Sequence, residues 1–240
     1  MDRSLYDSLH AVEDAHWWFR GRRRVVSALL SLVPQPSRPR ILDAGCGTGR
    51  NLIDYARIGP ASGVDPSPVA IDYCHRLGIE TAYEGALEAL PLEDDSFDLL
   101  FATDVIEHVD DDVAALTEMR RVAAPGASLV LTVPAYEWMW GPFDDLHHHK
   151  RRYTRPRLVD AARAAGWTVA TDTYFNSFLL APIAAVRVAQ RARGGGASGY
   201  GANPRALSPL LEDAMGLEAR LIASGHRLPA GVSVGLACRA

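Results

Sequence analysis

Asp43-Ala44-Gly45-Cys46-Gly47-Thr48-Gly49 is the segment whose residue types and spacing most directly point to chemistry. Glycines at 45, 47 and 49 let the backbone turn tightly and let a ligand approach the main chain. A side chain at those positions would collide with a nucleoside. Asp65 lies about 20 residues beyond the first glycine, where a carboxylate reaches ribose hydroxyls. It sits in Gly63-Val64-Asp65-Pro66, the expected context of a strand end before a helix. The glycines follow a GxGxG spacing, whereas a dinucleotide site uses GxGxxG with a pyrophosphate over the helix N-terminus. Asp43 would repel that diphosphate. It suits a cationic ligand, such as the sulfonium and amino groups of S-adenosylmethionine, and NAD is set aside.

A second group of reactive side chains lies further on. Asp144, Asp145, His147, His148 and His149 have metal-ligating types, but metal ligands must converge and consecutive loop histidines rarely do. The reading is therefore no metal. A histidine titrating near 6.5 can instead take a proton from a hydroxyl or amine. His108 is a further histidine of this kind. Arg151 and Arg152 either grip an anionic acceptor through bidentate pairing or form ion pairs with Asp144 or Asp145. Trp17 and Trp18, beside Arg20, Arg22, Arg23 and Arg24, either form a lid over the ligand or anchor a helix in the core. Asp104 and Glu107 either face the ligand or cap a helix start.

The elements that must position these groups alternate in the α/β manner. Helix is expected over 5–32 and is broken by Pro34, Pro36 and Pro39. Strands are expected at 41–44, 61–64, 79–83, 97–102, 128–133, 167–175 and 231–238. Helices are expected from about 51, then at 67–77, 110–122, 156–165, 177–191 and 207–222. Such alternation implies a parallel sheet with helices on both faces. Residues 134–152 read as a long loop, and 194–203, rich in glycine and small residues, as a mobile one. The helix over 177–191 is amphipathic; packing on the sheet is favoured over walling the acceptor pocket or touching a membrane surface.

Composition narrows the class. The chain has 240 residues, 48% hydrophobic and 22% charged, with a formal net charge of -4. That suits one globular domain with a sizeable core. The charge gives no support to nucleic-acid binding. Cys46, Cys74 and Cys238 form no CxxC pair or disulfide framework, which fits a reducing cytoplasm. The amino-terminal segment lacks the order of a signal peptide, and the apolar stretch 178–186 falls far short of the ~20 residues of a membrane span.

Taken together, these segments resemble class I S-adenosylmethionine-dependent methyltransferases. Residues 41–50 resemble the family's first motif and Gly63-Val64-Asp65 its second. Gly85-Ala86-Leu87-Glu88-Ala89-Leu90-Pro91-Leu92 with Ser96-Phe97-Asp98 resembles the adenine-side segment, and Asp104-Val105-Ile106-Glu107-His108-Val109 the segment beside the methionine moiety. The flanks, His16-Trp17-Trp18-Phe19-Arg20 and His149-Lys150-Arg151-Arg152-Tyr153, resemble a narrower bacterial group acting on small molecules.

The resemblance implies a Rossmann-like α/β fold: a seven-stranded, mainly parallel sheet with helices on both faces, an N-terminal helical lid and C-terminal helical additions. It divides the chain into a lid at 1–36, a cofactor core at 38–134 and an acceptor side at 135–240. It implies that Trp18, Arg22, Asp43, Gly45, Cys46, Gly47, Gly49, Asp65, Pro66, Ala86, Leu87, Thr103, Asp104 and His108 hold S-adenosyl-L-methionine, with S-adenosyl-L-homocysteine as product. Ala86 departs from relatives that place an aspartate there, which moves the adenine amine to Glu88 or water. His149 heads the flanking motif and is the favoured base, followed by His148, with Tyr153 beside them. Arg151, Arg152, Trp138 and Asn176 fall on the acceptor side. The implied activity is methyl transfer to an O, N or C atom of a small, anionic metabolite. The competing readings are a non-enzymatic cofactor-binding regulator or scaffold and, less favoured, a nucleic-acid methyltransferase. Oligomeric state is left open.

Overall fold

In the computed structural model, which describes residues 3–192 and 207–240, the chain forms one seven-stranded sheet in the order β3-β2-β1-β4-β5-β7-β6. The strands are β1 Ile41–Ala44, β2 Ala61–Asp65, β3 Ala82–Glu84, β4 Phe97–Thr103, β5 Ala123–Pro134, β6 Thr168–Phe175 and β7 Ser233–Arg239. Neighbours from β3 to β5 run parallel, while β7 runs antiparallel between β5 and β6. All four residues of β1 are buried, because this strand is paired on both edges and covered on both faces. Leu42 aligns with Ser62 on one side and Leu100 on the other.

The helices among the described residues are α1 Arg3–Val12, α2 Trp17–Leu30, α3 Arg50–Tyr55, α4 Pro68–Arg76, α5 Asp112–Val122, α6 Pro142–Leu146, α7 Arg155–Ala164, α8 Leu180–Ala192 and α9 Ser208–Ala223. They split the core in two. One face of the sheet packs on α5 and α7 through Leu116, Met119, Leu158 and Ala162. The other packs on α2, α3, α4 and α9 through Val25, Leu29, Leu52, Ile71, Met215 and Ile222.

Several elements differ from the sequence reading. The single helix expected over 5–32 is two. Its break has local causes: the His16 side chain accepts from the Trp18 amide at 3.2 Å and caps α2, while Glu13 turns away to accept from the Thr48 hydroxyl at 2.7 Å. The 134–152 loop holds a 3₁₀ turn at Glu137–Met139 and the short helix α6. The third strand starts at Ala82. Helix α5 is capped by Asp111, whose carboxylate accepts from the Ala114 amide at 2.9 Å, so neither Asp104 nor Glu107 serves as its cap. Helix α8 contributes no fully buried residue among those described, so it does not bury a face on the sheet. The loop expected to be mobile at 194–203 lies outside the described residues.

Between β1 and β4 the connections leave in opposite directions, with β2 and β3 added on one side and β5 on the other. A crevice opens at the carboxyl ends of strands at such a switch point, where α/β sheets bind ligands. Helix α2 roofs that crevice, and Leu29, fully buried, fits its methyls over Gly235 of β7, where an added Cβ would lie 2.7 Å from Leu29 Cδ1. Leu29→Ala is expected to cost about 2–5 kcal/mol through lost burial and a residual cavity. Urea unfolding should show a lower midpoint with an unchanged m value.

Candidate active site

A cavity of about 730 Å³ fills the crevice. It falls within the usual size range of small-molecule sites, about 300–1,000 Å³. One wall is the turn after β1. Gly45 takes a φ of +80°, and its amide donates to Val64 O at 2.7 Å. A Cβ at Gly45 would lie 2.4 Å from Val105, so the turn can pack against the loop after β4 only without a side chain there. At Gly47 an added Cβ would meet no protein atom within 4 Å, because that side faces the cavity.

Asp65 at the end of β2 faces the same space. Its Oδ2 accepts from the Gly47 amide at 3.0 Å, and its Oδ1 accepts from the Ser67 amide at 3.0 Å and the Tyr6 hydroxyl at 3.2 Å. Burial raises its pKa and these donors oppose the rise. Tyr6 ties α1 to the site, which no signal within α1 itself announced. Pro66, Ala86, Leu87 and Glu88 continue this wall.

On the β4 side, Asp104 takes a φ of +57° and accepts from Arg22 Nη1 at 2.5 Å and from Thr132 Oγ1 at 3.1 Å. Burial lowers the pKa of Arg22, but Asp104 outweighs it and the guanidinium stays firmly charged. Trp18 stacks on Phe175 with ring centroids 6.0 Å apart and lines the cavity with Trp17. The two tryptophans thus serve both expected roles, half-buried against the core and forming the cavity wall.

The far end is built by 139–150. Asp144 is fully buried and accepts from Arg152 Nε, His149 Nδ1 and the Gly141 amide, each at 2.8 Å. Burial opposes its ionisation, but the His149 hydrogen bond and the Arg152 charge hold its pKa at about 2. An ionised carboxylate only accepts, so the proton of neutral His149 is on Nδ1 and Nε2 keeps its lone pair. His108 meets His149 edge to face at 4.7 Å, and burial with His149 and His147 nearby pushes its pKa down to about 3. Glu107, with no exposed surface, has no hydrogen-bond partner for either carboxylate oxygen. Met139, Phe143, Ile183 and Val186 add apolar surface, so α8 walls the pocket as one sequence reading had it.

Of the residues singled out in the sequence, Trp18, Arg22, Gly45, Cys46, Gly47, Asp65, Pro66, Ala86, Leu87, Thr103, Asp104, His108, His148, His149, Arg152 and Asn176 line this cavity. Six do not. Tyr153 is fully buried in the core and donates to Asp112 Oδ2 at 2.7 Å, which removes it from the chemistry. Arg151 is spent on Val109 O, Asp110 O and the Asp112 carboxylate. Trp138 is 48% exposed and stacks on Tyr136 outside the cavity. Gly49, at φ +83°, starts α3 and packs near Cys74. Asp43 is 1% exposed and lies behind the glycine turn, where it lines no part of the cavity. Asn51, which donates to Thr103 at 3.4 Å, and Glu13 were missed, as were the joint roles of Asp144 and Glu107. Arg152 does line the wall, but its guanidinium is engaged by Asp144 and by Ala135 O at 2.9 Å, the ion-pair alternative.

Residues 42–131 match a family described as a methyltransferase domain. A ubiquinone biosynthesis O-methyltransferase of Methylocella silvestris is 29% identical over 178 residues, covering 59% of this chain and 70% of that protein. A dimethylglycine N-methyltransferase of Parasynechococcus marenigrum is 32% identical over 121 residues, covering 46% of this chain and 43% of that one. Among the first curated relatives the matched share of the relative runs from 37% to 70%, mostly below two thirds. A solved S-adenosylmethionine-dependent methyltransferase from Mesorhizobium loti superposes with a TM-score of 0.61 at 17% identity, over 95% of this chain and 99% of that one. Residues 42–131 thus match a methyltransferase domain, and the chain shares the Rossmann-like α/β fold of solved S-adenosylmethionine-dependent methyltransferases.

Burial pushes the Asp43 carboxyl up to about 8, with Arg22 pulling the other way and Asp65 adding to the rise. A carboxyl raised from 3.8 in the unfolded chain stabilises the fold below that value, and its contribution is lost as pH rises towards 8. Asp43→Asn is therefore expected to gain stability relative to the parent between pH 5 and about 8. Urea midpoints at several pH values check this, and a constant gap between the two proteins would refute it.

Proposed function

We propose that this protein transfers the methyl group of S-adenosylmethionine to a nucleophilic atom of a small-molecule acceptor. The observation that carries the reading is one continuous cavity with two chemically distinct ends. At one end the Gly45–Gly47 turn and Asp65 offer an open backbone and a fixed carboxylate, suited to the nucleoside and its ribose hydroxyls. At the other, Met139, Phe143, Ile183 and the His108–His149 pair enclose room beyond the cofactor. A protein that only bound the cofactor would have no use for that second end. The matched domain, named for methyl transfer, supports the same reading.

Asp104 and Arg22 stand between the ends. Asp104, already paired, adds negative charge on the sulfonium side. The sulfonium is an activated donor, so in-line positioning supplies much of the rate. His149 activates the acceptor: Asp144 orients its ring, and its Nε2 lone pair is the free proton-accepting position. His148 stands exposed at the cavity mouth and relays protons to solvent. The acceptor's polar contacts fall to His149 and to Asn176, whose Oδ1 has no hydrogen-bond partner.

Calorimetric titration with S-adenosylhomocysteine tests the cofactor assignment. Micromolar binding, about −8 kcal/mol, is expected, with none for NAD. Asp65→Ala removes two charge-assisted hydrogen bonds to the ribose, each worth about 1.5–3 kcal/mol. Binding should weaken at least thirtyfold while the circular dichroism spectrum stays that of the parent. Parent-like affinity in that variant would refute the ribose role.

A further inference from the structure

Glu107 poses a problem that the cofactor site does not solve. Its side chain is fully buried and neither carboxylate oxygen has a hydrogen-bond partner. A buried carboxylate without a partner is costly and calls for a proton or a cation. The guanidiniums nearest to it, Arg22 and Arg152, are already engaged by Asp104 and Asp144.

Two histidines share its surroundings. Glu107, His108 and His149 each bring one ligand atom, and these atoms all lie within 4.8 Å of one another. A tetrahedral ion with bonds near 2.1 Å separates its ligands by about 3.4 Å, a closure that small side-chain rotations supply. The two segments that carry the ligands are latched together, since the Lys150 amide donates to Glu107 O at 2.7 Å. Asp144 gives His149 the carboxylate partner on Nδ1 that metal-binding histidines require, leaving Nε2 for the ion. The backbone of His147 offers a matching acceptor to the His108 ring. All three candidate ligands line the cavity, so the remaining coordination positions open onto it.

We propose that Glu107, His108 and His149 bind a divalent transition-metal ion, and that this ion takes an oxygen of the acceptor as a further ligand. Two imidazoles and a carboxylate suit Zn²⁺, Mn²⁺ or Fe²⁺ and disfavour Mg²⁺. The local charges agree. Burial raises the pKa of Glu107, and an ion that ionises it leaves three carboxylates (Asp104, Glu107, Asp144) against two guanidiniums (Arg22, Arg152), one negative charge in sum. A divalent ion turns that to one positive charge, which an anionic oxygen then balances. This catalytic role rests on the methyl-transfer reading; binding of the ion does not. The acceptor hydroxyl bound to the ion gives up its proton to His148 and from there to solvent. Its oxygen pair then forms a bond to the sulfonium methyl carbon while the carbon–sulfur bond breaks. That pair stays on sulfur, giving S-adenosylhomocysteine. With the ion bound the metal takes the Nε2 lone pair of His149, so His149 acts through the ion and His148 replaces it as the proton acceptor. The earlier objection, that three consecutive histidines do not converge, leaves this site untouched, because its ligands come from two segments about forty residues apart in sequence.

The full-length protein, stripped with a chelator and dialysed, is titrated with Zn²⁺ and separately with Mg²⁺. S-adenosylhomocysteine binding is measured on the same samples. One Zn²⁺ per chain in the micromolar range or tighter is expected, with at least tenfold preference over Mg²⁺. Glu107→Gln and His149→Ala should each weaken Zn²⁺ at least tenfold. Co²⁺ added to the stripped parent protein should develop the visible absorption of a low-symmetry nitrogen and oxygen site, a readout that needs no variant. No saturable Zn²⁺ binding, or equal affinity in the parent and Glu107→Gln, would overturn the metal site. Loss of S-adenosylhomocysteine binding with Zn²⁺ binding intact would instead count against the methyl-transfer reading alone.

Discussion

The ion pair between Arg22 and Asp104 is the contact on which the arrangement of the site depends. Arg22 belongs to the second helix and Asp104 to the turn that ends the fourth strand, 82 positions later. Burying a guanidinium is expensive unless a fixed anion meets it, and Asp104 is fixed from its other side by Thr132. The pair thereby draws the amino-terminal helices over the carboxyl edge of the sheet. Trp18 and Arg22 come with them into the roof of the cavity, and the Thr48–Glu13 and Tyr6–Asp65 hydrogen bonds secure the first helix beside them. What would otherwise be an open groove at the switch point becomes a roofed cleft.

Asp144 does the corresponding work at the far end. Three donors converge on one buried carboxylate, and two of them, Arg152 and His149, come from the segment that follows it. Removing one partner of such a buried set typically costs 3–5 kcal/mol, because the others are left uncompensated. The energy goes into orientation: it fixes the ring of His149 beside Glu107 and His108. The end proposed for the cofactor is shaped mainly by backbone, through a glycine turn and a strand-end carboxylate. The end proposed for the acceptor is shaped by side chains held by other side chains. The first suits a ligand common to many enzymes, the second a specific one.

The end proposed to hold the cofactor could be located in the sequence because each of its parts is local. In a parallel sheet every binding loop follows its own strand, so Gly45-Cys46-Gly47, Asp65 and Asp104 can each be found from the strand before it. The same reasoning failed where sequence proximity was taken for spatial proximity. Arg151 and Tyr153 flank Arg152, yet alternating directions along an extended segment send them to Asp112 while Arg152 turns to Asp144. Trp138 belongs to a 3₁₀ turn that faces outward. Asp43, read as a ligand contact, lies one layer behind the turn it precedes.

The sequence by itself determined the fold class, the chain order of the seven strands, and the places of the glycines and carboxylates in the strand-end loops. These follow from periodicity and from glycine and carboxylate positions over spans of ten to twenty residues. Only the tertiary structure decided which distant side chains meet: Glu107 and His108 with His149, Arg22 with Asp104, Tyr6 with Asp65. Such pairings depend on how the turn after one strand is packed against a loop that follows another. The packing is set by the summed burial of the whole core, and no short stretch of sequence carries that sum.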